Sequence, residues 1–319
     1  MTGIVIASAN GIVGMEAAVD VLRRGGSALD AVIAGTRLVE ANPDDHTVGY
    51  SGLPNLLGEV ELDASVMDGR GLRAGSVGAL KGYQDAIDLA RTVMDDLPHV
   101  LIGGEGAARL ARESGLSEKN LLTAEAEAIW RERLDLAPAS IRENDAYLDR
   151  IRDIVARTAS DPELAVHGEP PHGTVNFLAR DRHGDIASAV STSGWAWKYP
   201  GRMGDSPIIG AGNYADNRYG AAACTGRGEM AQRCLTAHSV VTFMRFGMSL
   251  EDALRQAMHD LNDLDDPFAS EMNIVALDRD GHPAAASTAE GKTFVIMTEE
   301  MTAPEERPRM WIPLRSPTV

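Results

Sequence analysis

Residues 4–8 form a short, apolar, β-branched run that reads as a buried strand. Across residues 15–24 the side chains of Ala17, Ala18, Val21 and Leu22 recur three and four apart on one helical stripe. Gly25 and Gly26 stop that helix. Ser27 has the side-chain oxygen to cap a second one through Leu38, which must end before Pro43 because proline disfavours a helical residue ahead of it. Glycines 49, 52 and 58 mark a loop, and residues 59–68 alternate partially and read as a strand turned at Gly69. Apolar residues three or four apart predict helices over 80–94, 106–113 and 124–134. From about 137 to 173 the prolines at 138, 162, 170 and 171 and the density of charge predict an exposed loop.

Beyond that loop the pattern becomes sheet-like. Residues 174–180 and 186–193, joined by a turn containing Gly184, predict a β-hairpin. A small-residue strand over 220–225 leads into a helix over 228–246, and a further helix is expected over 250–264. Residues 273–278, 284–288 and 293–298 read as a meander. Strands on both sides of the central loop, with helices grouped in each half, predict an α+β sandwich rather than a parallel βαβ series.

Composition narrows the function. The chain has 319 residues, 44% hydrophobic and 24% charged, with 30 basic against 47 acidic side chains for a net charge of −17. That is a globular composition, and a pI near 4.9 argues against nucleic acid or an acidic membrane as a partner, since such binding rests on Lys and Arg releasing counterions. The first nine residues lack the basic flank of a signal peptide, so a cytoplasmic protein is expected. Cys224 and Cys234 are too few for a disulfide framework and read as free thiols. There is no Walker loop, no Gly-x-Ser-x-Gly elbow and no His-Glu-x-x-His pair, and the eight histidines show no ligand spacing, so neither metal nor cofactor is expected.

Three places carry candidate chemistry. Thr174 stands where Pro170-Pro-His-Gly173 meets a strand. A threonine hydroxyl is a poor nucleophile without a base, but a chain cut before Thr174 would supply its own α-amine, with a typical pKa of about 7.7 to 8.0. The plain alternative is a strand-initiating threonine. Arg202 and Asp205, in the glycine-rich block Gly201-Arg-Met-Gly-Asp-Ser-Pro207, suit the two charges of an amino-acid head group or else form a local ion pair. Thr225-Gly226, where a strand ends and a helix begins, offers a hydroxyl and backbone N–H groups to an anion, or is simply a tight turn.

Together these residues resemble the glycosylasparaginase (aspartylglucosaminidase) and plant-type asparaginase family of N-terminal nucleophile hydrolases. The resemblance runs in order through Gly25-Gly-Ser-Ala-Leu-Asp-Ala-Val32, Val48-Gly-Tyr-Ser-Gly52, Val66-Met-Asp-Gly69, Gly75-Ser-Val-Gly78, His172-Gly-Thr174, Ser191-Thr-Ser-Gly194, the Gly201 to Pro207 block, Gly210-Ala-Gly-Asn-Tyr-Ala-Asp216 and Thr225-Gly226. It implies a four-layer αββα sandwich, autocatalytic cleavage between Gly173 and Thr174 into an α piece (1–173) and a β piece (174–319), and assembly of two α and two β pieces. It also implies roles. Thr174 is the nucleophile and Thr192 hydrogen-bonds near its hydroxyl and amine. Arg202 holds the substrate α-carboxylate, Asp205 its α-ammonium group, and Thr225 and Gly226 form the oxyanion hole. The implied activity is hydrolysis of the side-chain amide of an aspartyl unit, with an N-glycan amine, ammonia or an amino acid departing.

The chain departs from the family's pattern in three places. Gly173 replaces the acid that precedes the cut in glycosylasparaginases, Ala9 stands where an active-site tryptophan is expected, and Asn176 stands where glycine is usual. The last two bear on the leaving-group side.

Overall fold

The computed structural model describes residues 2–134, 173–266 and 268–314. Its frame is a pair of face-to-face sheets. The larger has the order β12-β11-β1-β5-β6-β2-β3-β4, built from Glu305–Pro308 (β12), Thr293–Thr298 (β11), Ile4–Ser8 (β1), Val175–Arg180 (β5), Ile186–Thr192 (β6), Leu62–Asp68 (β2), Arg73–Leu80 (β3) and Leu101–Gly103 (β4). The smaller has the order β13-β10-β9-β8-β7, from Met310–Trp311 (β13), Pro283–Ser287 (β10), Met272–Asp278 (β9), Gly220–Gly226 (β8) and Asn213–Asp216 (β7). All pairings are antiparallel except β3 with β4 and β10 with β13.

Three apolar layers hold four structural layers together. Between the sheets lie Ile6, Leu178, Ile186 and Val190 of the large sheet against Ala221, Ala223, Val275 and Leu277 of the small one. The other face of the large sheet packs Val5, Ala7, Val66 and Phe177 under helices α1 (Ile12–Arg23), α2 (Ala28–Glu40), α3 (Ala86–Asp96) and α4 (Gly104–Glu113). The outer face of the small sheet packs Ala222, Cys224 and Ile274 under three helices from the later half. This is the α-β-β-α sandwich, and alternation along β1 and β5 builds it, because neighbouring side chains feed opposite layers. Helix α5 (Ala124–Leu134) covers the loop after α2, where Trp130 donates its indole N–H to the carbonyl of Asn55 at 3.1 Å. Ser27 caps α2 as expected, its Oγ accepting from the N–H of Asp30 at 3.1 Å.

Several expectations are corrected. Leu80 ends a strand over residues 73–80 rather than opening the helix expected over 80–94, and α3 begins only at Ala86. The strand is made of small residues, Arg73-Ala-Gly-Ser-Val-Gly-Ala-Leu80, that leave room for α3 against it, so no hydrophobic alternation announces it. The helix expected over 228–246 breaks at Leu235, whose φ of +47° is left-handed, into α6 (Gly228–Cys234) and α7 (Thr236–Arg245); α8 follows at Leu250–Asn262. The meander also divides: β9 and β10 pair in the small sheet, while β11 crosses to the large sheet and pairs with β1. The loop expected over 137–173 lies outside the described residues except for Gly173.

Candidate active site

Strand β5 starts one residue after Thr174, and β6 ends at Thr192. Their register, Val175 opposite Ser191, brings the two threonines together at the end of the central hairpin. Thr174 is 8% exposed and Thr192 3%. The hydroxyl of Thr192 donates to the carbonyl oxygen of Gly173 at 2.5 Å and accepts from the N–H of Gly194 at 2.9 Å. The peptide carbonyl immediately before Thr174 is therefore polarised by a neighbouring hydroxyl.

Gly173 is required by packing. A Cβ there would fall 2.3 Å from Oγ1 and 2.4 Å from Cβ of Thr47, closer than carbon atoms approach. Thr47 is itself held by Asp45, whose Oδ1 accepts from its N–H at 2.9 Å and its hydroxyl at 2.5 Å, while Asp45 Oδ2 accepts from Asn10 Nδ2 at 2.9 Å. The acid missing at residue 173 thus could not fit beside Thr47, and a carboxylate stands behind that threonine instead. Asn176 ties the turn through Ala9 to β5, because its Oδ1 accepts from the N–H of Ser8 at 2.9 Å and its N–H donates to Ser8 Oγ at 3.2 Å.

Arg202 and Asp205 do not pair with each other. Arg202 Nε donates to Oε1 of Glu229 at 3.0 Å, its Nη2 pairs with the same oxygen at 2.8 Å, and its guanidinium stands 5.9 Å from the Trp195 ring centre. Asp205 is 5% exposed, and its burial, opposed by the nearby Arg202, pushes its carboxyl up to about 7. The loop carrying both is pinned by carboxylates on β2 and just before it: Asp63 Oδ2 accepts from Gly204 N–H at 3.1 Å and Glu61 Oε1 from Gly201 N–H at 3.0 Å. Behind it lies Lys198, buried with its Nζ 3.9 Å from Glu61, its ammonium pushed to lower pKa by desolvation. From the other side Gly228 approaches so closely that a Cβ would lie 2.8 Å from Asp205 Oδ1.

Thr225 and Gly226 end β8. Two openings meet at Thr174. A narrow cleft is lined by Thr174, Thr192, Arg202, Asp205, Gly226 and Glu229. A broader groove leads away from Thr174 past Thr225 and Gly226 to Ala9, Asn10, Asn273, Lys292 and Arg309. Every site residue singled out in the sequence lies on one or both. Glu229, Asp45 and Thr47 were not singled out; the acid following Gly226-Arg-Gly228 was the visible signal for the first. Among the described residues no cluster of His, Cys, Asp or Glu side chains could hold a metal ion, and both thiols are free.

A family model described as asparaginase matches residues 9–304. The chain belongs to the asparaginase family. Among the relatives of this asparaginase-family protein is the N(4)-(β-N-acetylglucosaminyl)-L-asparaginase of Elizabethkingia miricola, 35% identical over 287 residues that cover 86% of this chain and 75% of that one. The isoaspartyl peptidase of Salmonella typhimurium is 36% identical, covering 87% and 83% of the two chains. The isoaspartyl peptidase/L-asparaginase of Danio rerio is 35% identical, covering 83% and 77%. The family is one of amidohydrolases, and the matched span takes in the whole cleft and most of the groove at Thr174, with Ser8 and Arg309 of the groove lying outside it.

Proposed function

We propose that this amidohydrolase cuts its own chain between Gly173 and Thr174, and that the freed Thr174 hydrolyses the side-chain amide of an aspartyl unit, as an N(4)-(β-N-acetylglucosaminyl)-L-asparaginase does. The observation that carries the reading is the 2.5 Å hydrogen bond from Thr192 to the Gly173 carbonyl, beside a nucleophile shared by a charged cleft and an open groove. In the first reaction Thr174 Oγ1 adds to that carbonyl, the chain shifts from nitrogen to oxygen, and water hydrolyses the ester to leave a Gly173 carboxylate and a Thr174 amine. In the second, the amine accepts the hydroxyl proton as Oγ1 attacks the substrate amide. Thr225 Oγ1 and Gly226 N–H take the oxyanion, the departing amine receives a proton, and water releases the aspartyl group. Arg202 holds the α-carboxylate and Asp205 the α-ammonium group. Removing one oxyanion donor typically costs about 100- to 1000-fold in rate. Cytoplasmic location and pairing of two cleaved chains belong to the same reading; among the described residues no helix is long and apolar enough to cross a membrane.

A second reading, isoaspartyl peptidase/L-asparaginase, is favoured by the groove, whose described lining holds Lys292 and Arg309 and no Phe, Tyr or Trp to stack on a sugar ring. Denaturing electrophoresis with N-terminal sequencing tests the common chemistry. Pieces of 173 and 146 residues (319 − 173) are expected, the second beginning at Thr174, and Thr174→Ala should stay whole and inactive. A cut elsewhere, or an active chain that stays uncut, refutes it. A panel of glycosylasparagine, asparagine and β-aspartyl dipeptides separates the two readings.

A further inference from the structure

Arg309 is held by main-chain carbonyls. Its Nε donates to the carbonyl of Thr293 at 2.8 Å and its Nη1 to that of Ile274 at 3.1 Å, and its own N–H donates to the Lys292 carbonyl at 2.9 Å. These contacts fix the plane of the guanidinium at the wall of the groove that starts at Thr174. The partners of its guanidinium are carbonyls rather than carboxylates. Glu271, whose charge favours the Arg309 cation, directs its Oε2 to Lys292 Nζ at 2.9 Å and its Oε1 to Asn273 Nδ2 at 2.8 Å. Burial pulls the Arg309 guanidinium down to about 10. A half-buried cation whose hydrogen-bond partners are carbonyls is a costly arrangement, and an anion arriving through the groove would relieve it.

Asn273 supplies the second observation. It stands opposite Thr225 in the β8–β9 register, so both side chains occupy the same face beside the candidate oxyanion hole. It is 8% exposed, and while its Nδ2 is engaged by Glu271, its Oδ1 is buried with no hydrogen-bond partner among the described residues. A free acceptor at that place matches the N–H of an amide whose carbonyl faces Thr225. The groove lining also carries Asp44 and Asp45, which repel an anion, so Arg309 and Lys292 are the lining groups that receive it.

Resting on the reading of Thr174 as nucleophile and taking up the second of the two substrate readings, we propose that Asn273 and Arg309 form a leaving-group subsite that selects β-aspartyl dipeptides over glycosylasparagine. Asn273 accepts the N–H of the scissile amide, and Arg309, with Lys292 beside it, takes the α-carboxylate of the departing amino acid. That carboxylate is one carbon from the scissile nitrogen, so a single ligand spans both groups. Asparagine and glycosylasparagine carry no anion there.

The test compares β-aspartyl-leucine with β-aspartyl-leucinamide, which differ only in that carboxylate. Turnover is measured with the wild-type enzyme and Arg309→Met, and binding to the uncut Thr174→Ala protein by calorimetry. Losing one partner of a buried charged contact commonly costs about 30- to 5000-fold, so wild-type kcat/KM should favour the free acid by at least about 30-fold. Arg309→Met should bring the two substrates to within a few-fold of each other, and Arg309→Lys should keep part of the preference. Should Arg309→Met fail to fold, the wild-type ratio and the binding ratio decide alone. Equal wild-type handling of the two compounds overturns the subsite even if both are hydrolysed. Tighter binding of the free acid without hydrolysis of either keeps the subsite and overturns the nucleophile.

Discussion

Asp205→Asn should make the protein more stable at neutral pH while disabling it. In the folded chain Asp205 is buried, it is not bonded to Arg202, which is taken up by Glu229, and its carboxyl is raised from an ordinary 3.8 to about 7. The sign follows from proton counting. Between pH 3.8 and about 7 the folded protein keeps a proton that the unfolded chain has released, so the free energy of unfolding falls as pH rises across that window and is level above it. At 1.36 kcal/mol per pH unit the full loss is about 4 kcal/mol. The amide introduced by Asp205→Asn does not titrate. Urea unfolding of Asp205→Asn against its parent, both in the uncut Thr174→Ala background so that one chain unfolds, should show a difference that is small at pH 4, grows to pH 7 and then saturates. On the proposed head-group assignment the substrate's α-ammonium group offsets this cost, so wild-type kcat/KM should climb through about pH 7, and Asp205→Asn in the cleaved enzyme should lose about 30- to 5000-fold. A stability difference that does not change with pH would show that Asp205 is already neutralised in the fold, and the head-group assignment would lose its physical basis.

Gly173→Ala should slow self-cleavage, because its methyl would lie 2.3 Å from Thr47 Oγ1; overpacking of about 1 to 3 kcal/mol corresponds to roughly 5- to 150-fold in rate. Thr47→Gly in the same chain should recover part of the loss in an electrophoretic time course, and wild-type cutting by Gly173→Ala alone would refute the packing account. Glu40, fully buried with Oε1 accepting from Ile87 N–H at 3.0 Å and Ser191 Oγ at 2.6 Å, is raised well above the usual range by desolvation. Its contribution is present at low pH and is lost as pH climbs from about 4.5 through its raised value, so Glu40→Gln should flatten that decline in a pH series of melting curves, and an unchanged slope would contradict it.

The elements legible in the sequence are those specified locally. Strand β1, the Ser27-capped α2 and the β5–β6 hairpin each follow from a periodicity or a turn residue within a dozen positions. Strand β3 escaped because its residues are small to admit α3, and the break at Leu235 because nothing in a leucine signals a left-handed backbone. The crossing of β11 into the other sheet is a tertiary fact that no local pattern encodes. At the site, residue chemistry alone left Thr174 as an ordinary strand start; the family resemblance, not any spacing, raised it. The roles of Glu229 and Arg309 escaped for the same physical reason, although the acid after Gly226-Arg-Gly228 stood in view. What distinguishes each is its partner, Arg202 from 27 residues earlier for the one and carbonyls 16 and 35 residues earlier for the other.

The topology also explains how a cut at Gly173 is compatible with a working site. Of the residues lining the cleft only Gly173 precedes the cut, and Thr192, Arg202, Asp205, Gly226 and Glu229 all follow it, so cleavage leaves nearly the whole cleft within one piece. Much of the groove's far wall, Ala9, Asn10, Asp45 and Thr47, precedes the cut. The large sheet interleaves the two pieces: β1 lies between β11 and β5, and β2 pairs with β6 from Asp63–Thr192 to Asp68–Ala187. Breaking one peptide bond therefore removes no strand pairing, and the amine it would free lies at the start of β5, where the sheet on both sides fixes it. Backbone hydrogen bonds on both flanks of β5 thus hold Thr174 between the cleft and the groove, so the chain can be severed there without losing the geometry that severing it would put to use.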